Sequence, residues 1–263
     1  TMKEKRKNGF VQKHLVCPSC GHKKCYAINA DGSGWCFSCN YRGQHEKGVA
    51  YVPDKQTTQF TSNTSSDAST YSALTDRKIS EATARKYGVK VVTSTNGSIF
   101  QHKYPYYDDN GEKVSIKTRQ VKNKRFSWEG TQKDIGLFGE QLFKKGKYLT
   151  ITEGECDAMS AYELMGSRWS VVSIRHGAGN ADQDIKDSLE FVEGFDNVVI
   201  CFDNDKQGRK ASQKVARLLR PGKAKIMRLP DGFKDPNDML KANEHKKFVT
   251  CFWGAKTYTP TGV

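Results

Sequence analysis

Two cysteine pairs, Cys17-Pro18-Ser19-Cys20 and Cys36-Phe37-Ser38-Cys39, stand fifteen residues apart. Each C-x-x-C turn offers two sulfurs to one metal, and the intervening residues suffice for the strands of a small ribbon that brings the pairs together around one tetrahedral Zn²⁺. Two disulfides fit less well, because a bridge within C-x-x-C is strained and no signal peptide precedes it. With four protein ligands the metal has no open position. It is expected to be structural, so any chemistry lies elsewhere in the chain or in what the ribbon touches. Cys25, Cys156, Cys201 and Cys251 show no pairing pattern and read as packing residues of a protein in a reducing compartment.

Charge narrows the partners. Lys+Arg 43 against Asp+Glu 29 gives +14 over 263 residues. Four thiolates (−4) and one Zn²⁺ (+2) would still leave +12. The positives cluster at Lys3, Lys5, Arg6 and Lys7, at Lys117, Arg119, Lys122, Lys124 and Arg125, and at Lys144, Lys145 and Lys147. Clusters point to a polyanion rather than to solubility, and no stretch approaches the ~20 apolar residues of a membrane span. Nucleic acid is the expected partner, and no membrane is.

The ribbon is expected within residues 10–50, followed by a polar linker over 51–70 whose Lys55 to Thr70 run is too poor in apolar residues to fold. From Tyr71 the pattern becomes globular. Residues 79–87 read as a short helix stopped by Gly88, and Asn110-Gly111 between two alternating runs predicts a hairpin joining 104–107 to 114–119. After Gly146 strands and helices alternate. Strands are expected at 148–152, 171–174, 198–202 and 225–229, with helices at 157–165, 182–192 and 208–219. The fold class is therefore α/β: a zinc ribbon tethered to a body made of a mixed α+β part and a parallel-sheet part.

In such sheets the working residues lie just past the carboxyl ends of the strands. Glu153 follows the first strand, Asp203 and Asp205 the third, and Asp235 the fourth. Asp203 and Asp205 are two apart, so on an extended segment their side chains point one way and can share a hard cation. Mg²⁺ or Mn²⁺ is the expected guest. Each motif taken alone also reads as a turn or a helix cap. Together at strand ends, they favour a cation site.

Ile151-Thr152-Glu153-Gly154-Glu155-Cys156-Asp157 followed by Asp203-Asn204-Asp205 resembles the TOPRIM module of primases, topoisomerases and some nucleases. The order of four-cysteine ribbon, polar tether, basic hairpin part ending in Leu137-Phe138-Gly139, then TOPRIM is similar to DnaG-type primases, and within them to the primase half of T7-type bacteriophage primase-helicases. The resemblance covers nearly the whole chain. It implies Glu153 as the catalytic glutamate and Asp203, Asp205 and Asp235 as metal-binding acids, with Glu155 and Asp157 in the same motif. It implies that Lys117, Arg119, Lys124 and Arg125 hold nucleotide phosphates and template. His176-Gly177-Ala178-Gly179 falls on a glycine-containing turn near the site, and a plain strand-to-helix turn explains it equally.

The implied activity is template-directed synthesis of short RNA primers from NTPs on single-stranded DNA. The 3′-hydroxyl of one nucleotide attacks the α-phosphate of the next, with Glu153 as metal ligand or base. The ribbon would read template bases. Tyr26, Trp35, Phe37 and Tyr41 are either its own core or stacking platforms, and His22, Asn29 and Ser33 can bond base edges. The implied subdivision is a recognition ribbon at 10–50, a linker at 51–70, a basic subdomain at 71–145, TOPRIM at 146–245 and a C-terminal segment at 246–263 leading toward a helicase. No G-x-x-x-x-G-K-[ST] occurs, so an isolated primase portion, monomeric without its ring, is expected, with Thr1 before Met2 as a non-native addition. Implied partners are the RNA product, a replicative DNA polymerase and a helicase, in the cytoplasm of a bacterial host. A TOPRIM nuclease and a non-catalytic zinc-dependent single-stranded DNA-binding module remain alternatives. A topoisomerase would need a further domain carrying a catalytic tyrosine.

Overall fold

The computed structural model describes residues 10–18, 24–37, 41–46 and 69–260. The chain divides into two compact units, 1–67 and 68–263. In the first, strands β1 (Phe10–Leu15), β2 (Tyr26–Asn29), β3 (Ser33–Cys36) and β4 (Arg42–Gln44) pair antiparallel in that order. Cys17, Tyr26, Ile28 and Cys36 form its small buried core. Tyr26 is core rather than platform. Its hydroxyl bonds His45 Nε2 at 2.6 Å, and a Cβ on Gly34 or Gly43 would fall 2.0 or 2.4 Å from that oxygen, so both positions must be glycine. Phe37 and Tyr41 are exposed, and Arg42 lies 4.7 Å over the Trp35 ring. Cys25, read as a packing residue, has its sulfur 3.5 Å from that of Cys36. Cys20, Cys39, His22 and linker residues 51–68 lie outside the described residues.

In the second unit Ser69 is buried and Thr70 exchanges two 2.9 Å backbone hydrogen bonds with Val91, so these two residues belong to the folded body. Helix α1 (Glu81–Tyr87) starts where the Ser80 hydroxyl accepts from Thr83 N–H and stops at Gly88, whose φ of 72° suits a residue without Cβ. Strands β5 (Lys90–Thr93), β6 (Ile99–Tyr107), β7 (Lys113–Gln120) and β8 (Phe126–Gly130) follow as an antiparallel meander. The Asn110-Gly111 turn joins β6 to β7, pairing Tyr107 with Lys113 and Tyr104 with Lys117.

Next come β9 (Gly146–Thr152), α2 (Glu155–Leu164), β10 (Ser170–Ser173), α3 (Ala181–Asp187), α4 (Leu189–Glu193), β11 (Phe195–Cys201), α5 (Lys206–Ala216) and β12 (Ala224–Ile226). The chain then adds α6 (Pro236–Lys241), α7 (His245–Trp253) and β13 (Lys256–Thr257). The sheet order is β10-β9-β11-β12-β13, parallel except for β13. The expected helix 182–192 is broken at Ser188 into α3 and α4, and the fourth strand ends at Ile226. Within the expected C-terminal segment, α7 buries Phe248 and Phe252 and β13 extends the sheet.

Tyr87, Tyr104, Tyr106 and Phe138 pack into one core with Met159 of α2 and Phe248 of α7, while Ile185, Val192, Val215 and Leu219 join a second core with Leu149 and Ile151. Each such side chain contributes about 1.5–3 kcal/mol when fully buried. An antiparallel bridge from Phe138 to Ser173 ties the meander's trailing segment to β10. No helix among the described residues is long and apolar enough to cross a membrane.

Candidate active site

Register places the chemistry. Thr152 pairs with both Ser173 and Cys201, so β9, β10 and β11 end level and the residues just beyond them share one edge. A cleft of about 570 Å³ opens there, lined by Glu153, Asp157, Asp203 and Asp235 on one side and by Lys117, Arg119, Lys124 and His176 on the other.

The acids are poorly answered. Glu153 Oε1 accepts from Ala178 N–H at 3.3 Å, while its buried Oε2 has no hydrogen-bond partner. Burial, and then the charge of Asp203, push the Glu153 carboxyl above the usual range. Asp157, half-buried on the first turn of α2, is pushed well up by burial and by the charges of Asp235 and Asp203. Asp235 is raised by burial, with Asp238 and Asp203 adding to it. Buried carboxyls raised further by the charge of a neighbouring Asp203 form a site short of positive charge. Lys234 supplies part of it, its ammonium 2.8 Å from Asp203 Oδ2 and 4.0 Å from Asp205 Oδ2.

Two of the predicted acids also serve as caps. Asp205 Oδ1 accepts from Gln207 and Gly208 N–H at 2.9 Å, starting α5, and the residue does not line the cleft. Asp235 Oδ1 accepts from Asp238 N–H at 2.8 Å, starting α6. Among the described residues no three His, Cys, Asp or Glu side chains converge as a ready metal-ligand set.

The basic wall divides as sharply. Lys117 is buried, its ammonium donating to Glu155 Oε1 at 2.6 Å and to the Arg175 carbonyl at 2.7 Å. Tyr106 donates to the same Glu155 oxygen at 2.7 Å. Lys117 therefore answers a buried carboxylate, and its reach toward phosphates is taken up internally. Arg119, two residues on and on the same face of β7, is also buried, and its Nη1 has no partner. Lys124 lies on the rim, whereas Arg125 is exposed and outside the lining. His176 Nδ1 bonds Asp184 Oδ1 at 2.8 Å, and its ring lies 5.8 Å from Trp128. Burial works to raise the Asp184 carboxyl, but the His176 hydrogen bond and the Arg175 charge hold it below the usual range.

Sequence reasoning missed Arg77, Phe126, Trp128 and Lys234. Phe126 and Trp128 alternate on β8 and both flank Lys117, at 4.7 and 5.6 Å from its ammonium, an alternation that period-2 reading of 126–130 could have found. Arg77 reaches the site through Asn237, at 3.3 Å across 160 residues of chain, and no local signal marks it.

A parallel sheet with these acids on its carboxyl edge, joined to a four-stranded basic meander, defines a TOPRIM-containing protein. Residues 150–240 match the Toprim-like family, and 69–130 match the family described as the bacteriophage T7 DNA helicase/primase N-terminal α+β fold. The primase fragment of the bacteriophage T7 primase-helicase is 30% identical, with TM-score 0.63, over 92% of this chain and 99% of that one. The T7 primase domain seen with the lagging-strand DNA polymerase, an RNA/DNA hybrid and dTTP is 34% identical, with TM-score 0.65, over 72% and 94%. The DNA helicase/primase of Enterobacteria phage T3 is 33% identical over 258 residues, 95% of this chain and 45% of the relative. The chain belongs to the T7-type family of DnaG-like, TOPRIM-containing primases, and spans about half the length of the T3 relative.

Proposed function

We propose that the chain is a DNA primase, joining NTPs into short RNA primers on single-stranded DNA as part of a phage primase-helicase. The observation that carries this reading is the division of one cleft into acids with raised pKa and a buried arginine with an unanswered N–H. A nucleoside triphosphate brings the anion that Arg119 lacks, and a divalent cation brings the charge that the acids lack.

The oxygen donors suit Mg²⁺ or Mn²⁺, and the Lys234 ammonium against Asp203 supports the fit of a positive charge there. Glu153, Asp203 and Asp235 would hold the ion from the cleft, and Asp205, outside the lining with Oδ1 capping α5, would reach it only through Oδ2. The chemistry the ion would supply is positive charge that lowers the pKa of the attacking hydroxyl and offsets charge on the α-phosphate and pyrophosphate. The alternative role of Glu153 is as base instead of ligand, its Oε2 being an acceptor for the proton of the 3′-hydroxyl. Arg119 binds phosphate oxygens with its guanidinium fork, and Lys124 and Arg125 meet template phosphates at the rim. Lys117 and His176 act through what they hold, Glu155 and Asp184. Phe126 and Trp128 offer flat faces to bases.

Cys17, Cys20, Cys36 and Cys39 are proposed to hold one structural Zn²⁺. The burial of Cys17 and Cys36 in one small core supports this. The subdivision follows the same reading with the linker shortened by the two residues that join the body: ribbon 10–50 for template recognition with Phe37 and Tyr41 as platforms, linker 51–68, basic subdomain 69–145, TOPRIM 146–245 and a C-terminal segment 246–263. A DNA polymerase and a helicase are the proposed partners and a bacterial host's cytoplasm the proposed setting, following the T7 complex and the T3 relative.

Incubation with single-stranded DNA, labelled NTPs and Mg²⁺ tests the reading. Short labelled RNA that disappears with EDTA is expected; degraded DNA would make the chain a nuclease, and bound DNA without product a binding module. Elemental analysis should find one zinc, and zinc retained in full by Cys36→Ser would sink that assignment, since structural sites supply ~10–16 kcal/mol through all four ligands.

A further inference from the structure

Helix α5 leaves the acid edge at Asp205 and carries Lys206, Arg209, Lys210 and Lys214 with no acidic residue; Arg217 follows as its C-cap. Gly208, Ala211, Ser212, Val215 and Ala216 are buried, so all the positive side chains lie on the exposed face. Eleven residues extend it over ~16 Å. Among the described residues none of these cations pairs with a carboxylate, whereas Arg220 and Lys223 just beyond share Glu193 at 2.6 and 2.8 Å.

Two depressions flank this face. A groove of about 620 Å³ lies against β12 and β13, lined among others by Arg217, Arg228, Lys256, Thr257, Tyr258 and Thr259. Tyr258 fixes Arg217 by a 2.9 Å hydrogen bond from its Nε. The charged form of the Arg228 guanidinium is disfavoured by burial and then by the charge of Arg209, and among the described residues neither forms an ion pair with a carboxylate. On the other flank Lys210 and Lys214 face Ala178 and Gly179 across a hollow of about 260 Å³. Ala178 is the residue whose N–H bonds Glu153.

We propose that the exposed face of α5, with its groove against β12 and β13, is a second track for single-stranded DNA, leading phosphates away from the acid edge. This rests on reading the cleft as a site that handles polynucleotide. Uncompensated positive charge over this length, hydroxyl donors beside it and continuity with the acid edge through Asp205 and Ala178 all suit a phosphate backbone. No base-specific pattern accompanies them, so the track is sequence-independent and strongly salt-dependent.

The test is equilibrium binding of the full chain, without NTP or Mg²⁺, to a long single-stranded oligonucleotide and to one short enough only to fill the cleft. For single strands the slope of log K against log salt is about −0.7 per neutralised phosphate. Lys210→Ala/Lys214→Ala and Arg217→Ala/Arg228→Ala should each flatten the slope for the long strand by ~1.4, and the quadruple variant by ~2.8. Short-strand binding and the melting temperature should not change, and Arg217→Lys/Arg228→Lys should keep the wild-type slope. A quadruple variant with the wild-type slope overturns the proposal. So does equal weakening for both strands, or loss of polyglutamate binding with long-strand binding intact, which would make the face an acidic-peptide site. Because no synthesis is measured, failure here leaves the primase reading standing, and failure of primer synthesis leaves this result readable.

Discussion

Two carboxylate groups, one in the cleft and one just behind the cleft residues Arg175 and His176, are answered in opposite ways. Asp184 is met by Arg175 at 3.2 Å and His176 at 2.8 Å and sits below the usual range. Asp157 and Asp235 sit above it, raised first by burial and then by neighbouring acids, Asp235 and Asp203 for the one and Asp238 and Asp203 for the other, with one backbone N–H each in return. The basic strand repeats the contrast two residues apart, Lys117 paired and Arg119 Nη1 unpaired. Charges answered inside the protein hold the scaffold. Those left unanswered at a cleft store an electrostatic cost that a ligand of opposite sign removes.

The sharpest break of this contrast is Lys117→Ala. It strands the buried Glu155 carboxylate, so it should cost about 3–5 kcal/mol of stability in a denaturant melt, and Lys117→Met with Glu155→Gln should recover most of it. A fully stable Lys117→Ala would mean that Lys117 belongs to the phosphate-binding group after all. Asp203→Ala should leave folding intact and lower Mg²⁺-dependent primer synthesis by roughly 10²–10³-fold; near-normal dinucleotide yield removes Asp203 from the machinery. Arg119→Ala should change stability little and raise the apparent KM for NTP by about tenfold or more, as expected for a lost charged hydrogen bond of ~1.5–3 kcal/mol.

The smallest effect tests the acids alone. The folded-state pKa of Asp157 lies above its unfolded value, so the folded protein holds the proton more tightly. Stability is therefore present at low pH and lost as pH rises through the folded pKa. Asp157→Asn removes that loss and should raise the melting temperature near neutral pH by roughly 2–4 °C, for about 1 kcal/mol. Mg²⁺ should do the same for the wild type and less for the variant. A variant that melts lower at neutral pH would show that the carboxylate is answered after all.

Much of the parallel sheet was legible because β-prone runs, glycines and acids recur in order along residues 146–245, a local signal. The hairpin at Asn110-Gly111 and the helix stop at Gly88 were legible for the same reason: turn chemistry is decided by the residues in the turn. So were Glu153 and Asp203, each just past its own strand, whereas Asp235 stands nine residues beyond β12 as the cap of α6. Which polar and charged groups meet was not legible. Lys117 meets Glu155 across 38 residues, Arg77 meets Asn237 across 160, and Lys234 reaches back to Asp203. Asp205 was seen as an acid two residues from Asp203, yet whether it faced the cleft or capped α5 depended on where the helix began. The chain by itself determined the elements and the chemistry on offer, because those follow from neighbours in sequence. Only the tertiary structure decided which groups are satisfied and which are left for a ligand, because pairing is set by distance in space and by burial.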